Sequence, residues 1–163
     1  MLECNSNFTY EHYTNILQDL KKSYKFTSFK NATTNDIILR HDVDASLHAA
    51  LKMAKIEKEL DISSTFFILF SSEFYNPISV DGSKIIREIL SLGHKLGLHY
   101  NEFFIFENNI NALETITTEI NLLEQHFNTK IEAIAAHERA LAESKSGKKL
   151  SVMLPDTIID AYS

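Results

Sequence analysis

The sequence predicts an α/β fold: a parallel sheet with helices outside, either open or closed into a barrel. Three observations predict it. Segments with helical and strand periodicity alternate along the chain as α, β, α, β, α, β, α, β, joined by short connections. One strand candidate, "SSTFFILF" at 63–70, is too apolar to have a wet face, which requires burial on both sides. Polar residues gather where three of the strands end, the place where parallel α/β proteins build their sites.

Asn7 is a candidate cap for a helix over 8–23, in which Tyr10, Tyr13, Ile16, Leu17 and Leu20 recur at helical spacing. "DIILRHDV", 36–43, begins with branched apolar residues and turns polar, as a buried strand does on reaching a sheet edge. "SLHAALKMAKIEKEL", 46–60, reads as a helix capped by Ser46, with Leu47, Ala50, Leu51, Ala54 and Leu60 on its buried face. After the strand at 63–70 and a loop holding Tyr75, Asn76 and Pro77, "SKIIREILSLG", 83–93, is a helix ended by Gly93. "HKLGLHY" is the third strand, 109–127 a long amphipathic helix, and "KIEAIAAH", 130–137, the fourth strand. The closing stretch, "ALAESKSGKKLSVMLPDTIIDAYS", breaks the pattern and reads as loop until "TIIDAYS".

The bulk composition narrows the function classes. A chain of 163 residues, 44% of them hydrophobic, suits one domain over 1–163 with a single core. A net charge of −6 lacks the basic footprint of a nucleic-acid binder, and the pairs Lys21-Lys22 and Lys148-Lys149 read as solvated. The single cysteine, Cys4, excludes an intrachain disulfide and fits a reducing compartment. The amino terminus has no basic start followed by an apolar core, and the longest apolar run, "TFFILF", is far short of a membrane span. The expectation is a cytoplasmic protein with no membrane span and a small-molecule or saccharide partner. Seven histidines invite a search for a site.

Side chains alternate along a strand, so Arg40, Asp42 and Asp44 share one face while His41 and Val43 point to the other. Two carboxylates one pleat apart repel unless a cation or a proton intervenes. A divalent metal would relieve this by taking one and leaving the other as a base. Equally, the two acids could cap the next helix and bind Arg40. His94 and His99 are an odd number of residues apart and so face opposite ways. His99, nearer the carboxyl end, is the better ligand, and His94 is structural. His137 ends its strand, where imidazole beside carboxylate suits zinc or a similar ion; the competing reading is a surface His–Glu–Arg turn. His12, His48 and His126 read as helix-face residues.

"ILRHDVDASLHAALKMAKIEKELDISSTFFILFSSEFYN", followed by "GHKLGLHYN" and then a His-Arg pair, resembles the polysaccharide deacetylase-like family with the NodB-homology fold. It is most similar to the branch whose first motif reads HDVD, and the opening "FTYEHYTNIL" and "YKFTSF" resemble that branch's lead-in helix and strand. The resemblance implies a distorted or incomplete (β/α) barrel and metal-dependent removal of an N-acetyl group from a sugar, in surface polysaccharide or lipopolysaccharide biosynthesis. It implies Asp42 as general base, Asp44 and His99 as ligands of a divalent metal, with zinc favoured, and Arg139 beside the base to hold it ionised and oriented.

Two departures stand out. The family's second ligand histidine would fall at Phe103, which cannot bind metal, so His137 is expected to replace it. HDVD also separates the acids by a residue, so Asp42 and Asp44 could exchange roles. The chain is shorter than the family's usual domain and lacks its late histidine, so an acid within it would have to be His137 or His41. Two further readings stay open: a truncated, non-catalytic relative that binds sugar, and a hydrolase of small cyclic amides or ureides.

Overall fold

A computed structural model describes residues 8–146 and 157–162, apart from the side chains of Arg139 and Ser146. Cys4, the Asn7 cap and the Lys148-Lys149 pair lie outside the described residues. The first helix, α1 (Tyr10–Lys21), is capped by Thr9, whose hydroxyl accepts from the His12 amide at 3.1 Å. β1 (Lys25–Thr27), a 3₁₀ turn at Phe29–Asn31 and β2 (Asp36–Ile38) follow. β1 and β2 pair in parallel as a sheet of their own.

The larger sheet begins at β3 (Arg40–Val43). The single strand expected over 36–43 is therefore two, parted at Leu39, because β2 pairs with β1 and β3 pairs elsewhere. There follow α2 (Leu47–Glu59), β4 (Thr65–Leu69), α3 (Val80–Ser91), β5 (Lys95–Asn101), α4 (Glu102–Glu107), α5 (Ala112–Phe127), β6 (Ala133–His137), α6 (Arg139–Ser146) and β7 (Ile159–Asp160). The strand order is β3-β4-β5-β6-β7, parallel throughout. A doubly wound sheet reverses its order and places helices on both faces. A sheet in plain sequence order, with right-handed crossovers, keeps its helices on one face, the arrangement of a (β/α) barrel.

The two faces carry different cores. Val43, Phe66, Ile68, Leu96, Leu98 and Ile134 point outward and pack under the helices against Ala54, Ile86, Ile89, Ile116 and Leu123. Phe67, Ala133 and Ala135 point inward, packed with Phe29, Ile159 and Ala161. Every residue of β4 is buried, as its doubly apolar sequence requires. Gly97 makes room for the inner core, since a Cβ there would lie 2.5 Å from the Phe67 ring.

Element ends follow local chemistry. Ser46 and Ser79 cap α2 and α3, accepting from the Ala49 amide at 3.2 Å and the Gly82 amide at 3.1 Å. The second cap moves the start of α3 ahead of the expected residue 83. Gly93, at φ +97°, turns the chain after α3, and Asn128, at φ +50°, does so after α5. Two helices go unanticipated. α4 has six residues, too few to show a period, and starts where the Asn101 side chain accepts from the Phe104 amide at 2.8 Å. α6 lies in a polar stretch expected to be loop. Among the described residues no helix is long and apolar enough to cross a membrane.

Candidate metal centre

The parallel register sets the site. β5 and β6 pair Asn101 with His137 and His99 with Ala135, so His99 and His137 stand near the carboxyl end of adjacent strands. β3 ends at Val43, and Asp44 follows it at the same end of the sheet. His99 Nε2 lies 3.2 Å from Asp44 Oδ1 and 3.2 Å from His137 Nδ1, and His137 Nδ1 lies 3.4 Å from the same Asp44 oxygen. Three donor atoms thus face one point.

His99 is prepared for this. Its Nδ1 is 2.9 Å from the Ala135 carbonyl, which only accepts, so Nδ1 carries the proton and Nε2 presents its lone pair. Burial holds its pKa below the ordinary 6.5 in spite of the opposing pull of Asp42 and Asp44. Neutral imidazole is the form that binds metal.

The donor set fits a divalent cation. Four-coordinate zinc with bonds of about 2.0–2.1 Å needs ligand-to-ligand edges of about 3.3–3.4 Å. Octahedral ions with bonds of about 2.0–2.1 Å need edges of about 2.8–3.0 Å. The observed edges, 3.2 to 3.4 Å, lie close to the four-coordinate spacing and admit a divalent cation without fixing which one. Asp44, His99 and His137 therefore form a three-residue metal-binding site, in the combination expected once Phe103 is set aside. Phe103 sits on α4 with the Lys145 ammonium 4.5 Å from its ring centre.

Asp42 stands beside the centre, on the face it shares with Arg40. Arg40 Nη2 donates to Asp42 Oδ2 at 2.9 Å and to the Tyr162 hydroxyl at 3.0 Å. The guanidinium lies between the rings of Phe67 and Tyr162, 5.5 and 4.6 Å from their centres. The ion pair with Arg40 exists as one reading of the sequence had it, but the capping role in that reading belongs to Ser46. Arg139, expected beside the base, has a side chain outside the described residues. Sequence reasoning gave Arg40 no catalytic part, although an R-x-D spacing in a strand puts both charges on one face. Tyr162 gave no local signal at all.

The remaining histidines lie elsewhere. His41 points to the outer face, stacked on Phe66 at 4.7 Å, with Nε2 2.6 Å from Glu57 Oε1. Glu57 is fully buried and also accepts from Tyr13 at 2.6 Å and Ser64 at 2.5 Å. Burial alone would raise its pKa, but the hydrogen bonds from His41, Ser64 and Tyr13 outweigh that and hold it below its ordinary value. His41 is thus turned away from the site and is corrected as a candidate acid. His94 is buried at the opposite end of its strand from His99, donating from Nε2 to the Ala54 carbonyl at 2.9 Å and accepting at Nδ1 from the Ser64 amide at 3.2 Å. His12, His48 and His126 lie on helices.

No family model and no curated protein matches the chain. Solved structures do. The Streptococcus pyogenes deacetylase PplD in complex with acetate aligns at 17% identity over 76% of this chain and 60% of that one, with a TM-score of 0.57. IcaB from Ammonifex degensii aligns at 16% identity over 77% of this chain and 65% of that one, with a TM-score of 0.53. The chain thus spans less than two thirds of the length of either structure. At these identities the likeness establishes the fold alone, an α/β fold whose parallel sheet is arranged as in a (β/α) barrel.

Proposed function

We propose that this chain is a metal-dependent hydrolase that removes an acetyl group from the nitrogen of a sugar. The observation that carries the reading is the Asp44–His99–His137 triangle at the carboxyl end of the sheet, with an arginine-paired Asp42 next to it. The fold shared with a deacetylase crystallised with acetate supports it. The saccharide, as part of surface polysaccharide or lipopolysaccharide biosynthesis, is proposed on the motif resemblance.

In this reading Asp44 Oδ1, His99 Nε2 and His137 Nδ1 hold the cation, with zinc as the first choice. When bound, the cation supplies Lewis acidity, polarising an acyl carbonyl and making water nucleophilic near neutral pH. Asp42 is the general base. Its Oδ2 is engaged by Arg40, which leaves Oδ1 as the atom to accept a proton from water. Among the described residues no histidine besides the two ligands faces the centre, so the proton that Asp42 takes up is the one it returns to the departing amine. Water and the acetamide thereby become acetate and a protonated amine: one water proton reaches the nitrogen through Asp42 and the other leaves the new carboxyl group for the same nitrogen, so atoms and charge balance. The loss of a ligand at Phe103 is one ground for the non-catalytic reading, and on that ground His137 supplies the third donor.

The test is acetate release from N-acetylglucosamine oligomers by protein loaded with zinc or cobalt. Asp42→Asn should lose about a hundredfold or more in kcat while keeping its metal. Wild-type protein that holds metal and releases no acetate from any N-acetylated saccharide would refute the deacetylase reading.

A further inference from the structure

The ligands do not explain why Asp44 is aimed at the centre. Its side chain is half exposed, and among the described residues its carboxylate meets His99 and His137 and no backbone donor. The aim comes from the backbone. The β3–β4 ladder opens with the Thr65 amide donating to the Leu39 carbonyl at 3.1 Å. In a parallel ladder such rungs recur every second residue, so the Val43↔Ile68 pair brings the Leu69 amide to the Val43 carbonyl at the end of the ladder. The Tyr75 hydroxyl bridges the same two groups, accepting from the Leu69 amide at 2.9 Å and donating to the Val43 carbonyl at 2.6 Å. The next carbonyl, that of Asp44, accepts from the Ser72 hydroxyl at 2.9 Å. Both carbonyls flanking the Asp44 Cα are thus held by side chains of the β4–α3 loop.

We propose that Tyr75 and Ser72 are positioning residues for the metal site. The Tyr75 hydroxyl braces the Val43 carbonyl at the end of the β3–β4 ladder, and Ser72 fixes the peptide beyond it, so that the Asp44 carboxylate meets the two imidazoles. The proposal rests on the metal-binding reading of those three residues. The loop that carries Tyr75 is tied to α3: the Asn76 carbonyl accepts from Ser79 at 2.8 Å and packs on Gly82, where a Cβ would come within 2.2 Å of it. Without the two hydroxyls the peptides on either side of Asp44 lose the side-chain contacts that set their planes, which frees the Asp44 carboxylate to turn from the imidazoles.

The test is titration of metal-free protein with cobalt, followed visibly, and competition with zinc. Tyr75→Phe and Ser72→Ala should each weaken binding by about tenfold to a hundredfold and alter the cobalt band, and Ser72→Thr should restore both. Tyr13→Phe is the matched control, removing a tyrosine hydroxyl from the Glu57 network. It should lower Tm and leave the metal Kd and the band unchanged. Wild-type Kd and spectrum in Tyr75→Phe would overturn the proposal; should that variant not fold, Ser72→Ala against Ser72→Thr decides in its place. Wild-type protein that binds neither ion would overturn the metal reading itself, and the proposal with it.

Discussion

His94 and His99 lie in one strand-like run and do opposite things. Their odd spacing separates them by face, and that much is legible in the sequence. What is not legible is the set of partners each face supplies, because Ser64, Ala54 and Ala135 come from other elements. The same holds for Asp42, whose pairing with Arg40 follows from strand parity, whereas the Tyr162 contact needs the folded chain. Burial holds both His94 and His99 below the ordinary histidine pKa of 6.5. A depressed folded pKa means that the unfolded chain binds the proton more readily, so stability rises with pH through that window. The metal-free protein should therefore be fully stable above about pH 6.5 and lose stability as pH falls below it. Urea unfolding across pH checks this, and His94→Gln should flatten the dependence. An unchanged profile in that variant would show that His94 does not carry it.

At the scale of elements, the long amphipathic helices and the doubly buried β4 are legible because periodicity and apolarity are local properties. The break at Leu39, short α4 and polar α6 are not, because each depends on what the segment meets. Gly97 shows how one element constrains the next. The inner face is narrow enough that β5 has no side chain where Phe67 of β4 fills the interior. Gly97→Ala should destabilise the protein by about 1–3 kcal/mol, because a Cβ 2.5 Å from the buried Phe67 ring and 3.0 Å from the Ala133 carbonyl forces the packing to shift. The urea midpoint reads this directly, and a neutral Gly97→Ala would mean that the inner face is looser than described.

At the scale of the molecule, the sequence order of the strands does the assembling. β3, β5 and β6 each deliver one polar residue to the same end of a parallel sheet, and a crossover fold brings Asp44 to His137 without either having a local partner in sequence. The sequence supports the gathering of these residues. Their distances come from register, and the aim of Asp44 from the Tyr75 and Ser72 contacts, neither of which a motif records. The central claim is that this end of the sheet holds a cation through His99 and not through His94. The most direct measurement is metal content by plasma mass spectrometry, on protein purified without chelator or polyhistidine tag, for the wild type, His99→Ala and His94→Ala. About one equivalent of divalent metal is predicted in the wild type and His94→Ala, and none in His99→Ala. Equal loss in both variants, or no metal in the wild type after exposure to zinc, cobalt, nickel or manganese, would contradict it.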